Sequence, residues 1–269
     1  MRESIISINN VTKRFGNLTA VDNICLNVFQ GELFALLGPN GAGKSTTIKM
    51  LTTLLKPTSG TLLLAGHDVV KESHAARNSF GIVFQDTSLD EELTAYENMA
   101  LHAALYSVPK DKAEGRIEQM LTLVELWDRR KSLVKTFSGG MKRRLEIARG
   151  LLHHPKILFL DEPTLGLDTQ TRNMLWEYII TVNKNEGMTV FFTTHYLQEA
   201  ESVAHRIAIV DHGKIVAMGD AAQLKEKTGT SSLEAAYLQL TGKQLRDETL
   251  DAAESSRERI RAFRRIRNQ

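Results

Sequence analysis

The run Gly38-Pro39-Asn40-Gly41-Ala42-Gly43-Lys44-Ser45 carries glycines, a lysine and a hydroxyl at the spacing G-x-x-x-x-G-K-[ST]. Glycines permit the turns by which successive backbone N–H groups close around a β-phosphate. Lys44 is then placed for the β- and γ-phosphates, and the Ser45 hydroxyl for Mg²⁺. Thr46 opens a helix-compatible stretch that runs to Leu55. A helix starting at the ligand adds its N–H groups and dipole. The apolar run Leu33 to Leu37 feeds the loop, so strand, loop and helix come in the order that phosphate binding needs. A nucleoside triphosphate with Mg²⁺ is the expected ligand.

A second element, Ile157-Leu158-Phe159-Leu160-Asp161-Glu162, brings two carboxylates to the end of a buried strand. Phosphoryl transfer needs charge neutralisation and a placed nucleophile rather than covalent catalysis. Asp161 suits Mg²⁺, through water, and Glu162 suits the polarising of an attacking water.

These residues need a sheet to hold them. Ile5 to Val11 and Val21 to Phe29 read as strands, with a turn at Gly16-Asn17. The stretch Pro57-Thr58-Ser59-Gly60 ends the first helix, Thr61 to Leu64 starts another strand, and Phe80 to Phe84 precedes Gln85. From Asp90 to about Lys135 the pattern turns helical. Leu93, Tyr96, Met99 and Ala100 recur at helical spacing, as do Ile117, Met120, Leu121 and Val124. Gly139 to Leu152 and about Thr169 to Asn183 are further helices, and Thr189 to Phe192 is a strand. The strand-helix-strand order predicts a largely parallel sheet covered by helices. Ile207 to Val210 and Ile215 to Met218 flank a turn at Asp211-His212-Gly213-Lys214, and Ser231 with Glu234 suits a capping box. Beyond Gly242 the chain is strongly charged; it reads as a solvated tail, with docking of an Ile260, Phe263, Ile266 stripe on the body, a second copy or a lipid surface as alternatives.

Phe137-Ser138-Gly139-Gly140-Met141 completes an ordered set that resembles the ATP-binding subunits of ABC transporters, from about Ile5 to Leu224. Met141 replaces the commoner glutamine. With Lys142-Arg143-Arg144-Leu145 after it, the segment resembles bacterial drug and antibiotic exporter ATPases of the ABC-2, daunorubicin-resistance-like kind. The resemblance implies an α/β P-loop NTPase fold of ABC ATPase type, with a mixed β core, an antiparallel β subdomain and an inserted α-helical subdomain. It divides the chain into a catalytic core at 1–89 and 136–224, a helical insert at 90–135 and a charged extension at 225–269. ATP and Mg²⁺ are the implied cofactors. Phe15 would stack on adenine, where many relatives use tyrosine; stacking needs a ring and no hydroxyl. Gln85 would contact Mg²⁺ or the attacking water and report to the insert. His195 would contact the γ-phosphate and orient Glu162. The loop Gly166-Leu167-Asp168 would cross a dimer interface, and Ser138, Gly139 and Gly140 would face the phosphate loop of a second copy across two buried ATP molecules.

Composition narrows the partners. The chain has 269 residues, a formal net charge of +2 and one cysteine, Cys25. The weak charge gives no nucleic-acid footprint, and a lone cysteine makes no internal disulfide. Cys25, between Ile24 and Leu26, is expected to be packed within its strand. No apolar run reaches the roughly 18 residues needed to cross a bilayer, and the start of the chain does not read as a signal peptide. The expected place is the cytoplasmic face of the membrane, peripheral, beneath separately encoded permease subunits. Asp86 to Ala100 is the expected contact region, with Leu89, Leu93 and Tyr96 as its apolar surface. The alternatives are an importer ATPase, a soluble ABC ATPase acting on nucleic acid or ribosomes, and a non-enzymatic scaffold. The scaffold fits poorly with the presence of both Glu162 and His195.

Overall fold

The structure, a computed structural model, describes residues 4–242. Strands β1 (Ser4–Phe15) and β2 (Leu18–Phe29) form a hairpin closed at Gly16 and Asn17, with Phe15 opposite Leu18. β4 (Ser59–Leu64) and β5 (His67–Asp68) complete an antiparallel sheet in the order β2-β1-β4-β5. The second sheet contains β3 (Leu33–Leu37), β6 (Phe80–Val83), β7 (Ile157–Asp161), β8 (Thr189–Thr194), β9 (Arg206–Asp211) and β10 (Lys214–Gly219). Its order is β10-β9-β3-β8-β7-β6, and every pairing except β10 with β9 is parallel.

The parallel strands of this second sheet are buried on both faces, as such strands must be. Leu33, Ala35 and Leu37 of β3 face one core with Leu158, Leu160, Val190 and Phe192. Phe34 and Leu36 face the other with Phe159 and Phe191, together with the antiparallel sheet. The helix α1 (Lys44–Leu51) lies in that second core, and the short α2 (Ser73–Asn78) adds Ala76 to it. On the first face sit α3 (Ala95–Leu105), α4 (Lys110–Leu123), α5 (Gly139–Leu151), α6 (Thr169–Glu186), α7 (Leu197–Val203), α8 (Ala221–Thr228) and α9 (Leu233–Thr241), each with buried residues in that core. Among the described residues no helix is long and apolar enough to cross a membrane.

Several local expectations are corrected. The first helix stops at Leu51 rather than Leu55: Thr52 turns its hydroxyl back to the Ile48 carbonyl at 2.8 Å, and Thr53 takes a left-handed φ of 65°. α3 starts after Thr94, so Leu93 is not on it. Thr94 Oγ1 accepts from the Glu97 N–H at 3.1 Å, while Glu97 Oε2 accepts from the Thr94 N–H at 2.8 Å. α9 is capped one residue later than expected: Ser232 Oγ accepts from the Ala235 N–H at 3.1 Å, and no capping box with Glu234 forms. Cys25 is exposed, because strand alternation turns its neighbours Ile24 and Leu26 inward. Leu89 is in the core, whereas Leu101 and Leu105 are exposed on α3. The stripe Ile260, Phe263 and Ile266 falls outside the described residues.

Two features tie the helical layer to the sheet. Gly81 of β6 runs so close to α5 that an added Cβ would lie 2.1 Å from the Gly150 carbonyl oxygen. Beside it, Tyr106 after α3 stacks on His153 after α5 with ring centroids 3.9 Å apart, and His102 lies 5.9 Å from His153. His153 Nε2 donates to the Phe80 carbonyl at 3.0 Å. Burial, with the charges of Arg149 and His153, pulls the His102 pKa down to about 3. Burial outweighs the Phe80 contact and brings His153 to about 4.

Gly81→Ala is expected to lower unfolding stability by about 2–3 kcal/mol, since strand or helix backbone must move; a urea midpoint equal to wild type would contradict the close approach. The two histidines predict an acid-side weakness. Their folded pKa values lie below the ordinary 6.5. Above that pH neither state takes up the protons. As the pH falls, the unfolded chain binds them and the folded rings refuse, so stability is lost from about pH 6.5 down through about 4. Urea unfolding between pH 7 and 5 is expected to lose up to about 1.4 kcal/mol per pH unit for each ring, and His102→Leu to lessen the slope. An unchanged slope in that variant would contradict the assignment.

Candidate active site

Parallel register sets this site. Leu37 of β3 pairs with Thr194 of β8, and Asp161 of β7 pairs with Thr193. β3 and β8 therefore end level and β7 ends one residue earlier, and the next residues along each, Gly38, Glu162 and His195, leave the sheet at one edge. In an open α/β sheet the carboxyl ends of the strands are where ligands bind.

The phosphate loop follows β3. Gly43 has a φ of 101° and lies against the backbone of β2, where a Cβ would meet the Ala20 carbonyl oxygen at 2.4 Å. Only glycine satisfies both conditions. The next residue begins α1, so Lys44, Ser45 and Thr46 form the first turn of that helix. Lys44 is buried, and Nζ folds back over the loop to donate to the carbonyls of Gly38 at 2.7 Å and Pro39 at 3.2 Å.

The acids follow β7. Asp161 Oδ1 accepts from Ser45 Oγ at 3.1 Å and from Thr193 Oγ1 at 2.6 Å. Glu162 has a left-handed φ of 50°, which turns the chain directly after the strand. Glu162 Oε1 lies 3.0 Å from Lys44 Nζ, and Oε2 lies 2.6 Å from His195 Nδ1. All three side chains are buried. Burial pushes the Glu162 carboxyl up, but the His195 hydrogen bond and the Lys44 charge outweigh it and hold the group below its ordinary value. The carboxylate is thus ionised at neutral pH and able to accept a proton.

A cleft of about 280 Å³ joins Phe15, Leu18 and Ala20 at one end to the phosphate loop, Thr46, Gln85 and Glu162 at the other. Phe15 is half exposed, with Lys13 Nζ 5.0 Å from its ring centroid. The apolar end suits a base and the loop end its phosphates. Ser45 and Asp161 offer a hydroxyl and a carboxylate side by side, and Gln85 an amide oxygen. These hard oxygen donors fit Mg²⁺, which keeps several waters and takes few protein ligands.

The structure does not bring Ser138, Gly139, Gly140 and Asp168 into this cleft. Ser138 is the N-cap of α5, its Oγ accepting from the Met141 N–H at 3.3 Å, with Ser138 and Gly139 exposed. Asp168 is the N-cap of α6, accepting from the Thr171 N–H at 2.9 Å and hydroxyl at 2.7 Å. The two caps are neighbours: a Cβ on Gly140 would lie 2.8 Å from Thr171 Cγ2.

Sequence reasoning missed the supports. Arg143 of α5 is buried. Its Nε donates to the Pro163 carbonyl at 2.7 Å, and Nη2 to those of Asp161 at 3.2 Å and Glu162 at 3.3 Å. Its Nη1 donates to the Phe84 carbonyl, just before Gln85, and lies 3.2 Å from Glu146 Oε2. Glu146 Oε1 in turn accepts from the Ser88 N–H at 2.8 Å. One side chain thus pins the helix behind Ser138 to both chain segments at the cleft. The i,i+3 spacing of Arg143 and Glu146 was a readable signal for the ion pair; the carbonyl contacts had none.

Comparison with known proteins gives the family. Residues 21–165 match the model of the ABC transporter family. The daunorubicin resistance ATP-binding protein DrrA3 of Streptomyces coeruleorubidus is 41% identical over 229 residues, 85% of this chain and 72% of the relative. The Nod factor export ATP-binding protein I of Ralstonia nicotianae is 38% identical over 80% of this chain and 67% of its own length. Among solved structures, an ATP-binding subunit of an ABC transporter superposes with a TM-score of 0.81 at 29% identity, covering 88% of this chain and 99% of that one. The ATP-binding cassette MJ0796, a dimer bound to ADP and Pi, gives 0.73 at 28% identity over 80% and 98%. The chain therefore belongs to the ABC transporter family, as an ATP-binding, ATP-hydrolysing cassette.

Proposed function

We propose that this chain is the motor of an exporter, working as a head-to-tail pair of identical copies beneath separate permease subunits at the inner face of the membrane. Export is supported by relatives named for drug resistance and for Nod factor export. The observation that carries the pairing is the split of the site. Lys44 and His195 both contact Glu162, and Lys44 and Glu162 line one cleft, while the exposed Ser138 and Gly139 at a helix N-terminus lie outside it. Such a turn is a second anion-binding surface, and a second copy is what brings it to the γ-phosphate.

Phe15 stacks on the adenine, and the loop N–H groups and Lys44 take the phosphates. Ser45 and Asp161 would hold Mg²⁺, with Gln85 beside them, and the ion would supply charge neutralisation for the transferred phosphoryl group. Glu162 takes the proton of the attacking water. His195, bonded to Glu162, keeps that carboxylate aimed. While the γ-phosphate is in place, Ser138, Gly139 and Gly140 of the other copy bind it and the pair stays closed. Once it has been hydrolysed the bridge is gone and opening is favoured. The division into a core at 1–89 and 136–224, a helical insert at 90–135 and an extension beyond fits this cycle. The core holds the nucleotide and the insert carries motion to the permease. For that contact, Leu93 and Tyr96 within 86–100 are joined by the exposed Leu101 and Leu105.

Glu162→Gln is expected to keep ATP binding and to lower turnover about 100-fold or more, trapping a closed pair detectable by gel filtration with ATP. Near-normal turnover in the folded variant would reject Glu162 as the base. Ser138→Arg is expected to weaken ATP-dependent pairing at least about tenfold, about 1.4 kcal/mol, with nucleotide binding to the single chain retained. Normal pairing by analytical ultracentrifugation would reject the turn as a phosphate contact.

A further inference from the structure

Glu199 lies in the first turn of α7 and is almost wholly buried, yet nothing in the hydrolytic step uses it directly. Its Oε1 accepts the hydroxyl of Thr164, and its Oε2 accepts the hydroxyl of Thr194 at 2.9 Å. Those two threonines belong to different catalytic segments. Thr194 immediately precedes His195, and its hydroxyl also accepts the Tyr196 N–H at 2.9 Å, so it fixes the chain on both sides of the histidine. Thr164 stands two residues after Glu162 in a turn closed by the Leu165 N–H on the Glu162 carbonyl at 3.2 Å. Its own carbonyl accepts the Leu167 N–H at 3.1 Å, within the loop that ends at Asp168.

A third segment meets the same carboxylate. Arg172, in the first turn of α6, places Nε 3.5 Å from Glu199 Oε1. Its guanidinium lies 4.7 Å from the ring centroid of Tyr196, and that ring lies 4.1 Å from His195. A buried carboxylate is tolerated only when its oxygens are satisfied, and here the donors come from the Glu162 turn, the His195 strand end and the helix behind Asp168. A first-turn acid serving its own helix alone would need none of them.

We propose that Glu199 is a positioning residue for ATP hydrolysis: by holding Thr164 and Thr194 on its two oxygens it sets the Glu162–His195 contact and the placement of the Gly166–Asp168 loop. This rests on Glu162 and His195 being the hydrolytic pair. The catalytic cost of misplacing a reacting group by about 1 Å reaches two orders of magnitude, so loosening this clamp acts on kcat. The phosphate loop meets the clamp through backbone, the Gly38 N–H donating to the Thr194 carbonyl at 3.3 Å, a bond that side-chain variants keep. Glu199, Thr164 and Thr194 do not line the nucleotide cleft, so nucleotide affinity is expected to hold.

The test uses the intact chain, with steady-state ATPase, nucleotide titration and melting measured for Glu199→Gln, Thr164→Val, Thr194→Val, the double variant Thr164→Val/Glu199→Gln, and Glu162→Gln. Each clamp variant is expected to lower kcat about 5- to 30-fold, with KM and ATP affinity within twofold. The double variant is expected to be no slower than the slower single one, because both changes open the same link. Should Glu199→Gln fail to fold, the threonine variants, which each lose one hydroxyl, decide the matter. Folded Thr164→Val and Thr194→Val proteins with kcat within twofold of wild type would overturn the proposal, as would losses that multiply in the double variant. If Glu162→Gln is inactive while the clamp variants are normal, this inference alone fails; if Glu162→Gln turns over normally, the hydrolytic reading fails and the inference with it.

Discussion

The fixed register of three parallel strands, β3, β7 and β8, which end within one residue of one another, is the constraint on which the site depends. A parallel ladder has slanted, evenly spaced hydrogen bonds, and here its register puts Gly38, Glu162 and His195, each the first residue past its own strand, at one edge of the sheet. A slip of one residue would turn the apolar side chains that pack against two different cores to the wrong faces. The hydrophobic pattern of the strands therefore enforces the geometry of the site. The buried charges at that edge are in turn possible only because each has a partner: Lys44 with Glu162, Glu162 with His195, Asp161 with Ser45 and Thr193.

From this edge the structure reaches outward through buried polar side chains. Arg143 links α5 to the carbonyls beside Gln85 and Glu162, and Glu199 links the Glu162 turn to the strand end before His195. Both give rigidity where loops would otherwise move independently. The same α5 offers its exposed N-terminus, at Ser138 and Gly139, away from the cleft. The neighbouring caps of α5 and α6, in contact through Gly140 and Thr171, form one surface. On the proposed reading, a change in nucleotide state felt at Gln85 or Glu162 has a short, stiff route to the face proposed to meet a second copy.

Much of this was legible in the sequence because the decisive signals are local. The phosphate loop, the apolar run before Asp161-Glu162 and the turn at Gly16-Asn17 each depend on neighbours in the chain, and each is in place. Capping signals were less secure: adjacent Ser231 and Ser232 offer the same chemistry, and the cap is Ser232. Cys25 was misjudged although the alternation of Ile24 and Leu26 on either side contained the answer. Leu89 shows a different limit, since an isolated leucine in a loop carries no period from which burial could be read. The carbonyl contacts of Arg143 and the partners of Glu199 were illegible for a further reason: they lie in segments joined only by folding, and no spacing rule relates Glu199 to Thr164, 35 residues earlier.

The central claim is that hydrolysis takes place in a pocket completed by a second copy of the chain. The most direct measurement is ATPase activity per chain across a dilution series, at saturating Mg-ATP and constant ionic strength. The account predicts a specific activity that falls in proportion to protein concentration once the pair dissociates, and that levels off at high concentration where every chain is paired. Specific activity that stays constant down to concentrations at which sedimentation finds single chains throughout would contradict it.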